Sequence, residues 1–274
     1  MPVLSVNLNK VALLRNARGG VVPNVLDAAR TVLGAGAEGI TVHPRPDQRH
    51  IRPDDVLDLA QYLGSQHSDE ALEAIELNVE GNPFAGARPN GYPGFDALIE
   101  QARPAQATLV PDGDNQLTSD HGFDLRGDQS ALQDKIHRYQ RAGARVSLFM
   151  DPDIGQISRA RDLGVERIEL FTGPFADAVT EYGAESGQAR TLRDQFQQAA
   201  EHAVSVGLGV NAGHDLDLPN LPLFCTIPGL LELSIGHALI ARALERGLTQ
   251  TVKDFLVAIN GADSGQRRKP GVTA

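Results

Sequence analysis

Short apolar runs that recur between longer amphipathic stretches constrain this chain more than any other feature of its sequence. The runs fall at residues 4–8, 39–42, 75–79, 107–110, 146–150, 167–171, 207–210 and 231–235. Each has the length of a strand buried on both faces. Between them lie segments whose apolar residues follow the helical period, among them 25–33, 54–63, 130–142, 154–163 and 189–206. Parallel strands need such crossovers, and eight of them predict a closed α/β fold, the (β/α)8 TIM barrel. An open doubly wound sheet is the structural alternative.

The 274 residues suit one large barrel, and no linker or low-complexity block divides them. The expectation is a single catalytic domain over residues 1–263 and a flexible tail over 264–274, SGQRRKPGVTA. Residues 81–94, GNPFAGARPNGYPG, read as a loop, and 248–259 as a closing helix. A formal net charge of −10 argues against nucleic acid and anionic membranes as partners, because both favour a basic face. It leaves room for small phosphorylated substrates held by a few cations in one cleft. The N-terminal segment lacks a signal pattern and no apolar run reaches the ~18–20 residues of a membrane span, so a cytoplasmic protein is expected. The single cysteine, Cys225, excludes an intramolecular disulfide and a Cys-based zinc site, and reads as a small buried hydrophobe.

Barrel strands meet helices outside and fill the lumen inside, so polar residues on them need a reason. In the third strand, Glu76, Asn78 and Glu80 alternate with Leu77 and Val79 and are expected to face inward, with Glu80 nearest the C-terminal mouth where barrel active sites are built. A salt-bridged structural carboxylate is the plainer alternative. In the sixth strand Glu169 repeats the pattern, and a structural ion pair is again the alternative.

Histidines gather at strand ends. His43, Arg45 and His50 follow the second strand, His214 ends the seventh in GVNAGHD, and His237 follows the eighth in SIGHALI. Gly236-His237 opens an apolar helix at 238–244, a free N-terminus that suits a phosphate, and the NAGH turn is placed to share that site. Arg45, Arg49 and His50 form a second cationic group, in which Arg49 reads as a solvated surface charge. Arg15 and Arg18 precede Gly19-Gly20 in what looks like a mobile loop, where one arginine could fold over an anionic ligand; a surface role is equally open.

Taken together, the segments NLNKVALLRNARGG, GITVHPRPDQRHI, LNVEGNP, TLVPDGDNQLTSDHGFDL, VSLFMDPD, IELFTGPFADA, VNAGHDL and ELSIGHALI resemble the pyridoxine 5'-phosphate synthase family of vitamin B6 biosynthesis, in family order over residues 4 to 245 or so. The resemblance implies a (β/α)8 barrel with extra helices, usually assembled as a homo-octamer, that condenses 3-amino-2-oxopropyl phosphate with 1-deoxy-D-xylulose 5-phosphate without metal or organic cofactor. It implies His43 and Glu80 as proton acceptors, His214 as proton donor and Glu169 as a transition-state stabiliser. Arg45, His50 and Thr118 would hold the deoxyxylulose phosphate. Asn7, Arg18, Asp215, Gly236 and His237 would hold the amino-oxopropyl phosphate, with a backbone contact expected at Asp215, where relatives can have Gly. Many members read Asn-x-Asp-His in the first strand; this chain reads Asn7-Leu8-Asn9-Lys10, which puts the sugar contacts of that pair in doubt. Two rival readings stay open: a metal-dependent barrel aldolase or isomerase using His43, His50, Glu80, Glu169 and His214 as ligands, and a non-catalytic barrel that binds a phosphorylated metabolite.

Overall fold

Eight parallel strands close on themselves in chain order, each hydrogen-bonded to the next and the eighth to the first. In the computed structural model, which describes residues 1–66 and 75–264, they are β1 (Val3–Asn7), β2 (Gly39–Val42), β3 (Glu76–Gly81), β4 (Gln106–Leu109), β5 (Arg145–Met150), β6 (Arg167–Phe171), β7 (Gly209–His214) and β8 (Leu230–Ile235). Around them run α1 (Asn9–Asn16), α2 (Val25–Gly34), α3 (Pro53–Gln66), α4 (Phe95–Ala102), α5 (Ser130–Arg141), α6 (Ile154–Asp162), α7 (Gly173–Tyr182), α8 (Gly187–Ser205), α9 (Leu221–Phe224), α10 (His237–Arg246) and α11 (Leu248–Ser264). The barrel expectation holds and the open sheet does not, because the β1–β8 ladder leaves no sheet edge.

Three of the helices, α2, α6 and α8, start where a side chain supplies a cap. Asn24, Asp153 and Ser186 each accept a hydrogen bond from the backbone N–H three residues on, at 3.0 to 3.1 Å, and so satisfy a donor that the first turn leaves free. Each helix then turns its apolar stripe to the strands. In α2 the buried residues are Val25, Ala28, Ala29 and Val32, spaced by three and four.

Inside the barrel the side chains stack in polar layers. At the N-terminal end, Arg145 donates to Glu76 and Gln106, while Arg167 donates to Asn211 and Glu232. In the middle, Thr108 donates to Asn78 at 2.9 Å, and the hydroxyls of Ser5 and Thr41 are 2.7 Å apart. Apart from Ser147 Oγ, which has no partner among the described residues, these hydrogen bonds fill the lower lumen, and the lumen opens at the C-terminal mouth.

Two expectations need correction, and a third falls largely outside the described residues. The stretch around residues 14–20 is not a loop throughout: α1 runs to Asn16, and Arg15 is buried, donating to Asp55 Oδ2 at 2.8 Å and to the His50 carbonyl at 3.2 Å. Arg15 therefore braces α1 against α3 and is not available to a ligand. The seventh strand begins and ends later than 207–210, because Asn211 and Gly213 pair with both neighbours despite their polarity and His214 continues the ladder to β8. The tail expected at 264–274 lies outside the described residues except for Ser264, which closes α11. Among the described residues no helix is long and apolar enough to cross a membrane.

Candidate active site

The mouth of the barrel holds a cavity of about 360 Å³ lined by residues from most of the strand ends, among them Asn7, Lys10, Glu80, Glu169, His214 and His237. Thr118, Asp215 and Gly236 also line it. Parallel topology explains the convergence: every strand's C-terminus points the same way, so residues far apart in sequence meet at one rim.

Glu80 sits in the wall. Its Oε2 accepts a hydrogen bond from the Asn7 amide at 3.3 Å and lies 3.6 Å from His43 Nδ1. On the other side of that ring, His43 Nε2 is 3.5 Å from Asp112 Oδ2. The His43 backbone N–H donates to Asn9 Oδ1 at 2.8 Å, which ties the residue after β2 to the start of α1. His43 is thus buried between two carboxylates, at separations that are electrostatic contacts rather than hydrogen bonds.

Asp112, which follows β4 in the PDGD turn, was not among the expected site residues. Its Oδ2 also pairs with Arg45 and accepts from Ser119 Oγ at 2.9 Å. An acidic residue just past a barrel strand was the signal available in the sequence. Arg45 donates to the Gln116 carbonyl at 3.0 Å and is buried with Asp112. Arg49, expected as a solvated charge, instead donates to the carbonyls of Gln116 and Leu117 at 2.9 and 3.2 Å. Together the two arginines pin the segment that carries Thr118 over the cavity.

His50 is buried, and its Nδ1 accepts from the Ile51 N–H at 2.9 Å. Burial first, then the charges of His43, Lys10, Arg45 and Arg49, pushes its pKa down to about 2. The ring is neutral, so its proton is on Nε2, and it acts as a neutral donor. Lys10 lines the cavity beside Asn9. Burial and the neighbouring Arg45 and Arg49 lower its pKa below the ordinary lysine value.

Glu169 projects from β6 into the lumen, fully enclosed, and its Oε2 has no hydrogen-bond partner among the described residues. Burial, then the charges of Glu80 and Glu232, push its carboxyl well above the usual range. The structural ion pair weighed as an alternative for Glu169 is not present among the described residues; the neighbours raising its pKa are themselves acidic. His214 ends β7 with φ at 86°, a conformation that L-residues rarely adopt. Its Nε2 is 2.6 Å from Thr118 Oγ1 and its Nδ1 is 2.7 Å from Asp215 Oδ2. Phe149 and Phe171 pack against the ring, with centroids 6.4 and 5.7 Å away. Neither phenylalanine was expected at the site, since both lie in runs that read as plain strand.

The start of α10 faces the same cavity through Gly236 and His237. A Cβ on Gly236 would lie 3.0 Å from the Asn7 Cβ, so glycine is what lets β8 turn into the helix beside that side chain. Arg18 is exposed beyond α1 and does not line the cavity; His43, Arg45 and His50 stand behind the wall formed by Glu80 and Thr118. Among the described residues no group of three or more His, Cys, Asp or Glu is arranged to hold a metal ion.

A closed parallel barrel whose mouth gathers three carboxyls, two histidines and a free helix N-terminus defines a (β/α)8-barrel enzyme. A family model described as pyridoxal phosphate biosynthesis protein PdxJ matches residues 4–261, and the chain belongs to that family. It is 54% identical over 254 residues to a pyridoxine 5'-phosphate synthase of Xanthomonas axonopodis pv. citri (strain 306), covering 92% of this chain and 94% of that one. It is 52% identical over 263 residues to a protein of the same name from Xanthomonas oryzae pv. oryzae (strain MAFF 311018), covering 96% and 98%. Among solved structures, 3-keto-L-gulonate-6-phosphate decarboxylase from Vibrio cholerae superposes with a TM-score of 0.59 at 13% identity, covering 95% of this chain and 98% of that one. That likeness concerns the barrel fold alone.

Proposed function

We propose that this protein condenses 3-amino-2-oxopropyl phosphate with 1-deoxy-D-xylulose 5-phosphate to give pyridoxine 5'-phosphate, phosphate and water. The observation that carries the reading, beside family membership, is the single cavity in which Glu80, Glu169 and His214 face the N-terminus of α10. The reaction forms an imine, loses water, closes a ring and aromatises, so it needs several groups that take and give protons.

In this reading His43 and Glu80 take protons, His214 gives one, and Glu169 stabilises charge as it develops. The protonated state favoured at Glu169 makes it a hydrogen-bond donor to an oxygen that gains negative charge. The two phosphates act as handles. Gly236 and His237 offer the first turn of α10 to the amino-oxopropyl phosphate, with Asn7 and Asp215 on the same side of the cavity. Thr118 meets the deoxyxylulose phosphate in the cavity, backed by Arg45 and the neutral His50 from behind the wall. Asn9 hydrogen-bonds the His43 backbone, so it shapes the acid–base residue instead of supplying charge, while Lys10 brings a cation to the sugar side of the cavity. Anchoring both phosphates turns a bimolecular step into an intramolecular one, worth up to about 7–11 kcal/mol in favourable cases.

The substrates are small and phosphorylated, the enzyme works in the cytoplasm, and it assembles as a homo-octamer. The deciding experiment mixes both substrates with the purified protein in the presence of a chelator and follows the pyridine product by its absorbance. Turnover under those conditions is expected. Its absence with and without added divalent metal would leave a barrel that only binds phosphorylated metabolites, and turnover restored by metal alone would turn the reading toward a metal-dependent aldolase or isomerase.

A further inference from the structure

Both ring nitrogens of His214 lie within hydrogen-bond distance of a partner, which neither nitrogen of His43 does. The order is Asp215 Oδ2, 2.7 Å, His214 Nδ1, then His214 Nε2, 2.6 Å, Thr118 Oγ1. A carboxylate only accepts hydrogen bonds, so the Nδ1 that faces it carries a hydrogen. In the neutral ring Nε2 then holds the lone pair, and the Thr118 hydroxyl donates to it. This is the arrangement of orienting acid, histidine and hydroxyl that recurs wherever an imidazole must hold one tautomer and one direction.

Chain and packing favour the same conclusion. His214 occupies a left-handed backbone conformation, a costly one for a residue with a Cβ, so something must hold its ring in place. Phe149 and Phe171 restrict it by packing, but aromatic contacts do not choose between nitrogens. Only the Asp215 carboxylate does. The Asp215 backbone N–H is already directed at Thr172 Oγ1, 3.4 Å away, so main chain and side chain both engage neighbours within the protein.

We infer that Asp215 is a positioning residue that fixes the tautomer and direction of His214, and that the Thr118 hydroxyl is the path by which the Nε2 proton of His214 reaches the substrate. The inference rests on the proposed role of His214 as proton donor and assigns the Asp215 side chain to the histidine rather than to a substrate phosphate. The transfer balances simply. Protonated His214 gives its Nε2 proton to the Thr118 oxygen as the Thr118 hydroxyl gives its own proton to the departing oxygen of the substrate. One proton moves from ring to substrate, the hydroxyl is regenerated, and the ring is left neutral with Nδ1–H still on Asp215.

The test combines a spectroscopic and a kinetic readout on the full-length protein. Nitrogen-15 NMR of the histidine rings in the unliganded wild type, with His214 assigned by comparison with His214→Gln, is expected to show its Nδ1–H tautomer; Asp215→Ala should lose that preference. In the assay with both substrates, Asp215→Ala should lower kcat about tenfold or more while leaving KM for the amino substrate within about twofold. Thr118→Val should lower kcat similarly, and Thr118→Ser, which keeps the hydroxyl, should restore most of it. An Nε2–H tautomer in the wild type would overturn the inference, whether or not the protein turns over. So would an Asp215→Ala variant that raises KM and leaves kcat intact, since that behaviour belongs to a substrate-binding carboxylate. Asp215 is 42% exposed, so truncating it opens no core. Absence of turnover in the wild type would count against the proposed function, with the tautomer still deciding the role of Asp215.

Discussion

His43 Nδ1 stands 3.6 Å from Glu80 Oε2, near enough for an electrostatic contact and too far for a hydrogen bond. Unliganded acid–base pairs commonly show such separations and tighten when substrate binds. His43→Ala, Glu80→Gln and His214→Ala are each expected to lower turnover about 10²-fold or more, read from the rate of pyridine formation. Near-normal rates in all three would remove the acid–base scheme.

The other face of His43 looks toward a buried ion pair. The side chains of Arg45 and Asp112 are only 6% and 5% exposed. Removing one partner leaves the other charged and unsolvated, so Asp112→Ala should destabilise the fold by about 3–5 kcal/mol. Denaturant unfolding measures this, and a loss under about 1 kcal/mol would mean that Arg45 finds water or another acceptor.

Glu169 makes stability depend on pH. Its folded pKa is raised above the ordinary glutamate value of 4.5, so the folded state keeps a proton that the unfolded chain releases. The contribution is complete below pH 4.5 and is lost as pH rises toward the folded pKa. Glu169→Gln should therefore gain thermal stability relative to wild type as pH increases, with the smallest difference in acid. Melting curves across that range check the sign, and a difference independent of pH would show that Glu169 is as easily ionised in the fold as in the unfolded chain.

His50 acts in the opposite direction. Its pKa is lowered to about 2, so below the ordinary histidine value of 6.5 the unfolded chain takes up a proton that the fold refuses. Stability falls on that account as pH drops from 6.5, by up to about 1.4 kcal/mol per pH unit. His50→Asn should flatten the acid limb of the stability profile. Ring NMR offers a direct check, because the His50 signals should not titrate between pH 5 and pH 8.

Much of the site was legible before any fold was known. His43, Glu80, His214 and Gly236-His237 all follow or end apolar runs, and once those runs are parallel strands of one barrel their residues have one rim to share. Asp112 and Arg49 were not legible in their roles. Asp112 meets His43 and Arg45 across 69 and 67 positions of sequence, and nothing local to the PDGD turn says which way its carboxylate points. Arg49 looks solvated because its own neighbours are polar; its partners are carbonyl groups in a different loop. Residues 14–20 read as loop because Gly19-Gly20 follow the arginines, yet α1 runs to Asn16 and Arg15 is held by Asp55.

What the sequence by itself determined is the pattern of burial: short runs buried on both faces for the eight strands, and a period of 3.6 for the helices between them. From that pattern come the closed barrel and the polarity of its ends, because hydrophobic burial follows pattern and connection length more than it follows any single residue. Only the tertiary structure decided which polar atoms meet. It put Asp112 behind His43, Asp215 on Nδ1 of His214, and Glu169 where its Oε2 has no hydrogen-bond partner among the described residues. The reason is that hydrogen bonds and charges act over a few ångströms in fixed directions. Their pairing is set by loop conformations that bring distant segments together, and an apolar period carries no record of those conformations.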